Sequence, residues 1–204
     1  TPTPPPYARF MDVASVAETL QTVALAIALA ACAGLRTFLP LFLAGVLSRA
    51  GWLVLGPSFQ FLSSNRALIL FGVASLIEIL ADKIPALDHA LHALATPLHA
   101  GAGALLAASA LGKHTDPVFA LALGAAVGAP AALVPHAAKA GLRAASTAFT
   151  GGLANPLLSL GEDVVTFMLF CLAVLVPLAV VVLLVLAAVF LGRRLLARPP
   201  VPGA

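Results

Sequence analysis

Long apolar segments, each near the length needed to cross a membrane, constrain this chain more than any other feature. The last of them runs from Val164 to Leu191 without one charged residue. A hydrocarbon core about 30 Å thick is spanned by roughly 20 apolar residues of helix. Only 9% of the residues are charged and 61% are hydrophobic, whereas soluble domains are about 25% charged. This composition excludes a soluble enzyme, a nucleic-acid-binding module, a disordered chain and a disulfide-stapled secreted domain. The sequence predicts an all-α, polytopic transmembrane helical bundle.

The apolar segments predict about five spans, at residues 15–34, 66–81, 97–112, 117–136 and 164–191. Two further segments are predicted to be broken or re-entrant. Residues 37–48 follow the first span with no polar loop between them, and residues 144–163 are rich in glycine and hydroxyl side chains. Irregular backbone at membrane depth is tolerated only inside protein or around a wet cavity. Pro40 and Pro156 are the predicted helix breaks.

Three regions are predicted along the chain. Residues 1–14 form a proline-rich tail, residues 15–192 a single transmembrane domain, and residues 193–204 a basic tail. Lys and Arg collect in cytoplasmic loops. Their distribution places the C-terminus in the cytoplasm, on the same side as the 49–65 loop and the 112–117 turn, and the N-terminus outside. The expected location is the bacterial inner membrane, with the lipid bilayer as the first partner.

A tetrapeptide repeat suggests internal symmetry. Residues 33–36 and 140–143 both read Ala-Gly-Leu-Arg, 107 residues apart, and a proline-broken segment follows each copy. Three predicted spans separate them, so the halves 15–96 and 97–192 would have opposite orientations. Inverted repeats with broken helices are a recurring transporter design. The alternative is a chance match in a chain rich in Ala, Leu and Gly.

Eight charged residues lie in or beside the predicted spans. Charges at this depth cost about 2.5–3.5 kcal/mol each on insertion scales and are functional candidates by default. They comprise four bases and four acids: Arg36, Lys83, Lys139, Arg143, Glu78, Asp82, Glu162 and Asp163.

Two interpretations of these charges stay open. In the first, acids and bases pair and hold the bundle together. In the second, Arg36, Lys139 and Arg143 bind an anionic substrate with help from Asn155 and Ser159. The acids Glu78, Asp82, Glu162 and Asp163, together with Lys83, would then form ion pairs or carry a coupling proton. A structural role predicts that Glu78→Gln folds poorly, and a transport role predicts that it folds without activity.

Other chemistry has weaker support. Asp88, His89, His92 and His99 lie close in sequence, but a metal site needs three or four converging ligands, and an interfacial amphipathic helix explains this segment more simply. Cys32 and Cys171 are expected to be apolar packing residues. The nucleophile, P-loop, HExxH and CxxC motifs are absent from the sequence. We therefore expect no catalytic residue, no metal and no cofactor.

The polar motifs resemble those of a known family. They are AGLR with FLP at 33–40, the Glu78-x-x-Ala-Asp82-Lys-Ile-Pro85-x-x-Asp88 run, His136-x-x-Lys139-Ala-Gly-Leu-Arg143, and Asn155-Pro156-x-x-Ser159-x-x-Glu162-Asp163. Together they look like the DUF4126 family of small bacterial integral membrane proteins, over roughly residues 20–195. The resemblance implies an all-helical membrane fold with these motifs as its hallmark. It implies no substrate and no mechanism, because the family's function is not established.

The favoured functional hypothesis is a membrane transporter or carrier for a small anionic molecule or a lipid head group, coupled to protons. One alternative is a structural or assembly subunit that binds a membrane partner through Gly and Ala faces. Others are a passive channel and an enzyme that acts on lipids. A homo-oligomer is compatible with each of these, and nucleic acid is not an expected partner.

Overall fold

The computed structural model describes residues 13–82 and 85–196, with side chains for residues 15–82, 95–190, 192 and 193. Every regular element in this part of the chain is helical, as predicted. The α-helices are α1 (Val13–Leu35), α2 (Phe38–Arg49), α3 (Asn65–Ala81), α4 (Pro85–Leu111), α5 (Pro117–Leu123), α6 (Ala129–Thr150), α7 (Asn155–Leu175) and α8 (Pro177–Leu196). A 3₁₀ helix, Pro57–Ser63, precedes α3, and one π-helical turn, Gly124–Gly128, joins α5 to α6.

Several of these helices are long and apolar enough to cross a membrane. Among the described residues, three meet that test by length and composition: Ser15–Leu35, Pro117–Thr150 and Asn155–Leu175. A fourth arises if Pro57–Ser63 and Asn65–Ala81, which are bent by 59°, form one span. The apolar helices support a membrane-embedded protein. The count of five spans and the inverted repeat stay predictions.

The predicted break after the first span is present. α1 ends at Leu35 and α2 begins at Phe38, with only Arg36 and Thr37 between them. Pro40 lies in the first turn of α2, where proline lacks a backbone N–H that the helix would leave unpaired in any case. Thus Pro40 follows the break rather than making it.

The segment 144–163 is broken as predicted, but the residues on both sides of the break are helical, not irregular as expected. α6 continues to Thr150 and stops at Gly151 and Gly152, whose φ angles are 62° and 87°. Glycine adopts this left-handed conformation without a steric penalty and commonly ends helices. α7 then starts at Asn155, with Pro156 in its first turn, so only four residues separate the two helices.

Two further boundaries differ from the sequence prediction. The predicted interfacial helix before Pro97 is continuous with the following span as α4, because packing against neighbouring helices tolerates a proline within a membrane helix. The last span is divided at Val176, whose φ and ψ are −141° and 71°. Residues before proline avoid the α conformation, and Pro177 follows.

The core forms around α1, which packs against α4, α6, α7 and α8. Its buried face consists largely of alanine, from Ala24 to Ala33. Such small side chains let helix backbones approach closely in membranes. α3 packs mainly on α2 and the 3₁₀ helix. We call these three elements the outer unit. Leu41, Ala44 and Leu62 join it to the core, whereas α3 contacts the core little.

One end of the bundle carries a groove of about 970 Å³. Glu18 of α1, Trp52 of the loop after α2, His114 of the α4–α5 turn and Val176 all line it. His114 Nε2 lies 3.7 Å from Glu18 Oε1. The start of α1 therefore shares an end with the 49–65 loop and the 112–117 turn. The sequence had placed it opposite them, and the prediction was wrong because α2 folds back along α1.

Candidate functional site

The helix break after α1 is held by side chains from three other helices. Glu78 of α3 accepts hydrogen bonds from the backbone N–H groups of Thr37, at 2.8 Å, and Phe38, at 3.0 Å. A carboxylate at this position satisfies the unpaired donors of the α2 N-terminus and its partial positive charge. Lys139 of α6 donates to the Leu35 carbonyl at 3.0 Å, and the ring of His99 lies against the Ala33 carbonyl.

Beside this break lies a network of six charged side chains from four parts of the chain: the α1–α2 break, the end of α3, α6 and α7. We call it the charge network: Arg36, Asp82, Lys139, Arg143, Glu162 and Asp163. Arg36 is fully buried, and the other members are largely buried. Three bases and three acids therefore meet within the protein, and a charge at such depth is stable only if it is paired.

Arg36 is paired on both arms of its guanidinium. Nη1 contacts Asp82, and Nη2 lies 2.7 Å from Asp163 Oδ1. Nη2 also donates to Ser159, at 2.9 Å to Oγ and 3.1 Å to the carbonyl oxygen. The planar, forked guanidinium suits this arrangement better than an ammonium would. Arg36 thereby ties the end of α1 to α3 and to α7.

Lys139 and Arg143 lie one turn apart on α6 and share the same two acids. Arg143 donates from Nη2 to Asp82 Oδ2 and to Glu162 Oε2, at 2.9 Å in each case, and from Nε to Glu162 Oε1 at 3.2 Å. Lys139 Nζ lies 3.2 Å from Glu162 Oε2 and 3.5 Å from Asp82 Oδ2. Glu162 of α7 thus contacts both cations.

An apolar-walled cavity of about 260 Å³ ends on part of this network. Its walls come from the start of α2 and from α3, α4 and α6. Its charged lining consists of Glu78, Asp82, Lys139 and Arg143. Arg36, Glu162 and Asp163 lie behind that lining. The cavity separates the outer unit from α4 and α6.

Two histidines also line the cavity. The rings of His99 and His136 are 4.3 Å apart between centroids. His99 Nδ1 is 3.1 Å from Thr37 Oγ1, and His136 Nε2 is 3.1 Å from Thr96 Oγ1. In the described part of the chain, no group of three or more His, Cys, Asp or Glu side chains has a metal-binding arrangement.

The structure brings most of the sequence candidates together. Arg36, Lys139, Arg143, Asp82, Glu162, Asp163 and Ser159 meet in one place, with Glu78 beside them. Asn155 does not join them, because its Nδ2 donates to Thr147 Oγ1 in the α6–α7 link. Lys83 lies outside the described residues. So do the side chains of Asp88, His89 and His92.

Sequence reasoning missed the role of Thr37. Its N–H and hydroxyl contact Glu78 and His99. The available signal was its position directly after Arg36, where an apolar span stops without a polar loop. A residue at such a break leaves backbone groups that a neighbouring helix must satisfy.

Comparison with other proteins identifies the family and nothing finer. No curated protein and no solved structure matches the chain. The profile described as "Domain of unknown function (DUF4126)" matches residues 23–196, a segment that contains both the charge network and the cavity. The chain belongs to the DUF4126 family.

Proposed function

We propose that this protein is a membrane carrier for a small anion with a short apolar tail. The observation that carries the proposal is the cavity, whose apolar walls end on the cations Lys139 and Arg143. An apolar pocket with a few converging polar groups is the usual form of a small-molecule site. This site lies beside the break between α1 and α2, and broken helices commonly form binding sites in transporters.

The size and lining of the cavity define the substrate class. Its volume of about 260 Å³ is just below the range of about 300–1,000 Å³ that is typical of drug-sized ligands. Ala74, Ile77 and Leu98 contribute to the walls, and they suit a short alkyl chain. The charged end is therefore expected to be a single carboxylate, sulfonate or phosphate group, of a free solute or of a lipid.

The sign of the substrate charge follows from which charged groups of the cavity already bind other parts of the protein and which face the cavity. Both oxygens of Glu78 accept backbone N–H groups at the start of α2. Lys139 and Arg143 instead face the cavity while Glu162 supports them from the opposite side. Cations that are oriented in advance bind an anion at a lower cost, because their own side chains need no ordering.

We also propose placement in the bacterial inner membrane with a cytoplasmic C-terminus. The last apolar segment is followed by three basic residues, Arg193, Arg194 and Arg198. Basic residues next to a span favour the cytoplasmic side. Glu18 near the start of α1 and Pro177 at the start of α8 line the same groove, so an α8 that crosses to the cytoplasm leaves the N-terminus outside.

Flux measurements in proteoliposomes test the carrier proposal. The probe is radiolabelled octanesulfonate, a permanent monoanion with a short alkyl tail. Ala74→Phe fills the cavity without removing a charge, and Val73→Phe is the matched control, because Val73 is exposed on the neighbouring face of α3. We expect saturable flux that falls at least tenfold in Ala74→Phe and stays near the wild-type value in Val73→Phe. Equal flux in both variants, or no flux above protein-free liposomes, would refute the carrier.

A structural or assembly role is the second candidate, and the pairing of the cations favours it. Arg36, Lys139 and Arg143 each contact at least two carboxylates, which is the pattern of charges that hold helices together. Crosslinking in native membranes discriminates between the two candidates. A stoichiometric partner together with absent octanesulfonate flux would establish the assembly role, and flux by the purified protein would exclude it as the sole function.

A further inference from the structure

Asp82 Oδ2 contacts all three cations of the charge network on the side of the cavity, as Glu162 Oε2 does on the other side. The Asp82 oxygen contacts Arg36 Nη1, lies 2.9 Å from Arg143 Nη2 and lies 3.5 Å from Lys139 Nζ. Asp82 also lines the cavity. The carboxylate of Asp82 thus takes the place that the charged end of an anion in the cavity would need.

The three cations would keep their positions without Asp82. Arg143 remains held by both oxygens of Glu162, and Lys139 by Glu162 and the Leu35 carbonyl. Arg36 retains Asp163 and Ser159. Withdrawal of Asp82 would therefore leave a preformed, positively charged position at the end of the cavity.

Asp82 is also the acid that is best placed to withdraw. It follows the last residue of α3, which belongs to the outer unit. Glu162 and Asp163, by contrast, lie within α7, which packs on α1. Asp82 is attached to an element that packs little on the core, whereas the other two acids are fixed to it.

We propose that the anionic group of the substrate displaces the Asp82 carboxylate from Arg36, Lys139 and Arg143, and that Asp82 takes up one proton as it leaves. This inference rests on the proposed carrier function and assigns its coupling step. One negative charge enters and one proton binds, so the net charge of the buried network is unchanged. Binding the anion and the proton together avoids the large cost of an unbalanced charge in a low-dielectric interior.

The groups that face Asp82 come from every neighbouring helix. The network itself supplies Arg36 from the α1–α2 break, Lys139 and Arg143 from α6, and Glu162 and Asp163 from α7. Glu78 lies one turn earlier on α3, and His99 approaches from α4. Of the acids in the charge network, Asp82 is the one that both lines the cavity and contacts all three cations.

The experiment measures octanesulfonate binding to the full protein in phosphatidylcholine nanodiscs by equilibrium dialysis between pH 5 and pH 8. Proton uptake is followed in parallel in weak buffer. Octanesulfonate stays ionised throughout, so any proton that is taken up belongs to the protein. We expect one proton per anion, and affinity that rises as the pH falls, by up to about tenfold per pH unit. Replacing part of the lipid with phosphatidylglycerol shows by competition whether a lipid head group is an alternative source of the anion.

Asp82→Asn is the test variant, and Asp116→Asn is the matched control because Asp116 caps α5 at an exposed position, outside the charge network and the cavity. We expect Asp82→Asn to bind octanesulfonate at least tenfold more tightly at pH 8, with no proton uptake and no pH dependence. Asp116→Asn should keep the proton uptake and the pH dependence of the wild-type protein. If Asp82→Asn does not fold, the proton stoichiometry of the wild-type protein still decides the question.

The outcomes separate the two proposals. Saturable binding by the wild-type protein without proton uptake, or proton uptake that persists in Asp82→Asn, would overturn the displacement of Asp82 and leave the carrier intact. Absence of saturable octanesulfonate binding at every pH would overturn both. Binding of octylammonium in place of octanesulfonate would likewise overturn both, because the site would then select cations.

Discussion

Arg36 shows how a membrane protein keeps a charge that no solvent reaches. The residue is completely buried, yet its guanidinium contacts Asp82, Asp163 and Ser159. Removing one partner from a buried ion pair costs about 3–5 kcal/mol, because the other charge loses its compensation. Arg36 therefore fixes the relative positions of α1, α3 and α7, and the cavity depends on those positions.

The geometry of the fork makes Arg36→Lys a sharp test of this role. Lysine retains the charge but cannot reach Asp82 and the pair Asp163 and Ser159 at once. We expect the free energy of unfolding in detergent to fall by about 3 kcal/mol. The control is Arg49→Lys, whose bond to Asn65 is exposed, and it should change stability by less than about 0.5 kcal/mol. Similar losses in both variants would contradict the account.

Glu78 has a different role, and Glu78→Gln separates it from the charge network. The carboxylate caps α2 through Thr37 and Phe38. Glutamine retains one acceptor oxygen, so we expect the free energy of unfolding to fall by about 1–2 kcal/mol. Octanesulfonate binding and its proton stoichiometry should persist. Loss of proton uptake in a folded Glu78→Gln protein would assign the coupling proton to Glu78 instead of Asp82.

The sequence predicted most of these residues but not their partners. Intramembrane charges are rare, so Arg36, Asp82 and Arg143 stood out without a structure. The Arg36–Ser159 bond joins residues 123 positions apart, and no local pattern encodes such a distance. Asn155 was assigned to the site because of its motif, but its amide stabilises the α6–α7 link.

At the scale of elements, close helix contacts position the cavity. Gly103 of α4 lies so near α6 that an added Cβ would come within 2.5 Å of Ala132 Cβ. At Gly34 of α1, an added Cβ would fall 2.0 Å from the Ala132 carbonyl oxygen. Small residues at such crossings are what permits tight packing of membrane helices. Any larger side chain there must move α1 or α4 away from α6, and thereby separate Arg36 from Lys139.

Two glycines of α4 test this packing with the same substitution. Gly103→Ala is expected to lower the free energy of unfolding by about 1–3 kcal/mol. At Gly101 an added Cβ meets nothing within 4 Å, so Gly101→Ala should be neutral or stabilising by up to about 1 kcal/mol. Thermal unfolding of both variants in the same detergent provides the comparison. Equal stability would show that α4 and α6 are not in close contact.

Helix boundaries were predictable where charged or polar residues interrupt an apolar segment, and less so within segments of apolar or small residues. The break near Arg36 and the loop after Arg49 were anticipated. The division at Val176 was missed, because the apolar pattern continues through Pro177 while the backbone before a proline leaves the helix. The helicity of residues 144–150 was missed because small and hydroxyl residues were taken as loop signals. Packing against neighbouring helices overrides such weak preferences.

At the scale of the whole molecule, the chain folds back on itself. α1 runs from the groove to the charge network, and α2 runs back toward the groove. Glu18, Trp52 and His114 therefore lie together at the groove end. The pKa of Lys113 in this groove is lowered by burial, and the carboxylate of Glu18 opposes that shift. The charge network lies at the C-terminal ends of α1 and α3, away from the groove. The two polar regions of the molecule are therefore separated along α1.

This arrangement predicts membrane sidedness. Cysteines introduced as Glu18→Cys and His114→Cys, in a protein whose native cysteines are replaced by alanine, should react with a membrane-impermeant maleimide from the same side. Both positions are exposed. The count of charged residues alone would put them on opposite sides. Labelling of the two positions from opposite sides of sealed vesicles would contradict the fold at this end.

Protection of the cavity from a thiol reagent tests the central claim most directly. Ala140→Cys places a thiol in the cavity, and Val54→Cys places one in the groove, again with Cys32 and Cys171 replaced by alanine. The reagent is an uncharged methanethiosulfonate, which does not compete for the anion site. We expect octanesulfonate to slow modification at position 140 at least tenfold, with no effect at position 54 and none from octylammonium. An unchanged rate at position 140, or equal slowing at both positions, would contradict an anion site in this cavity.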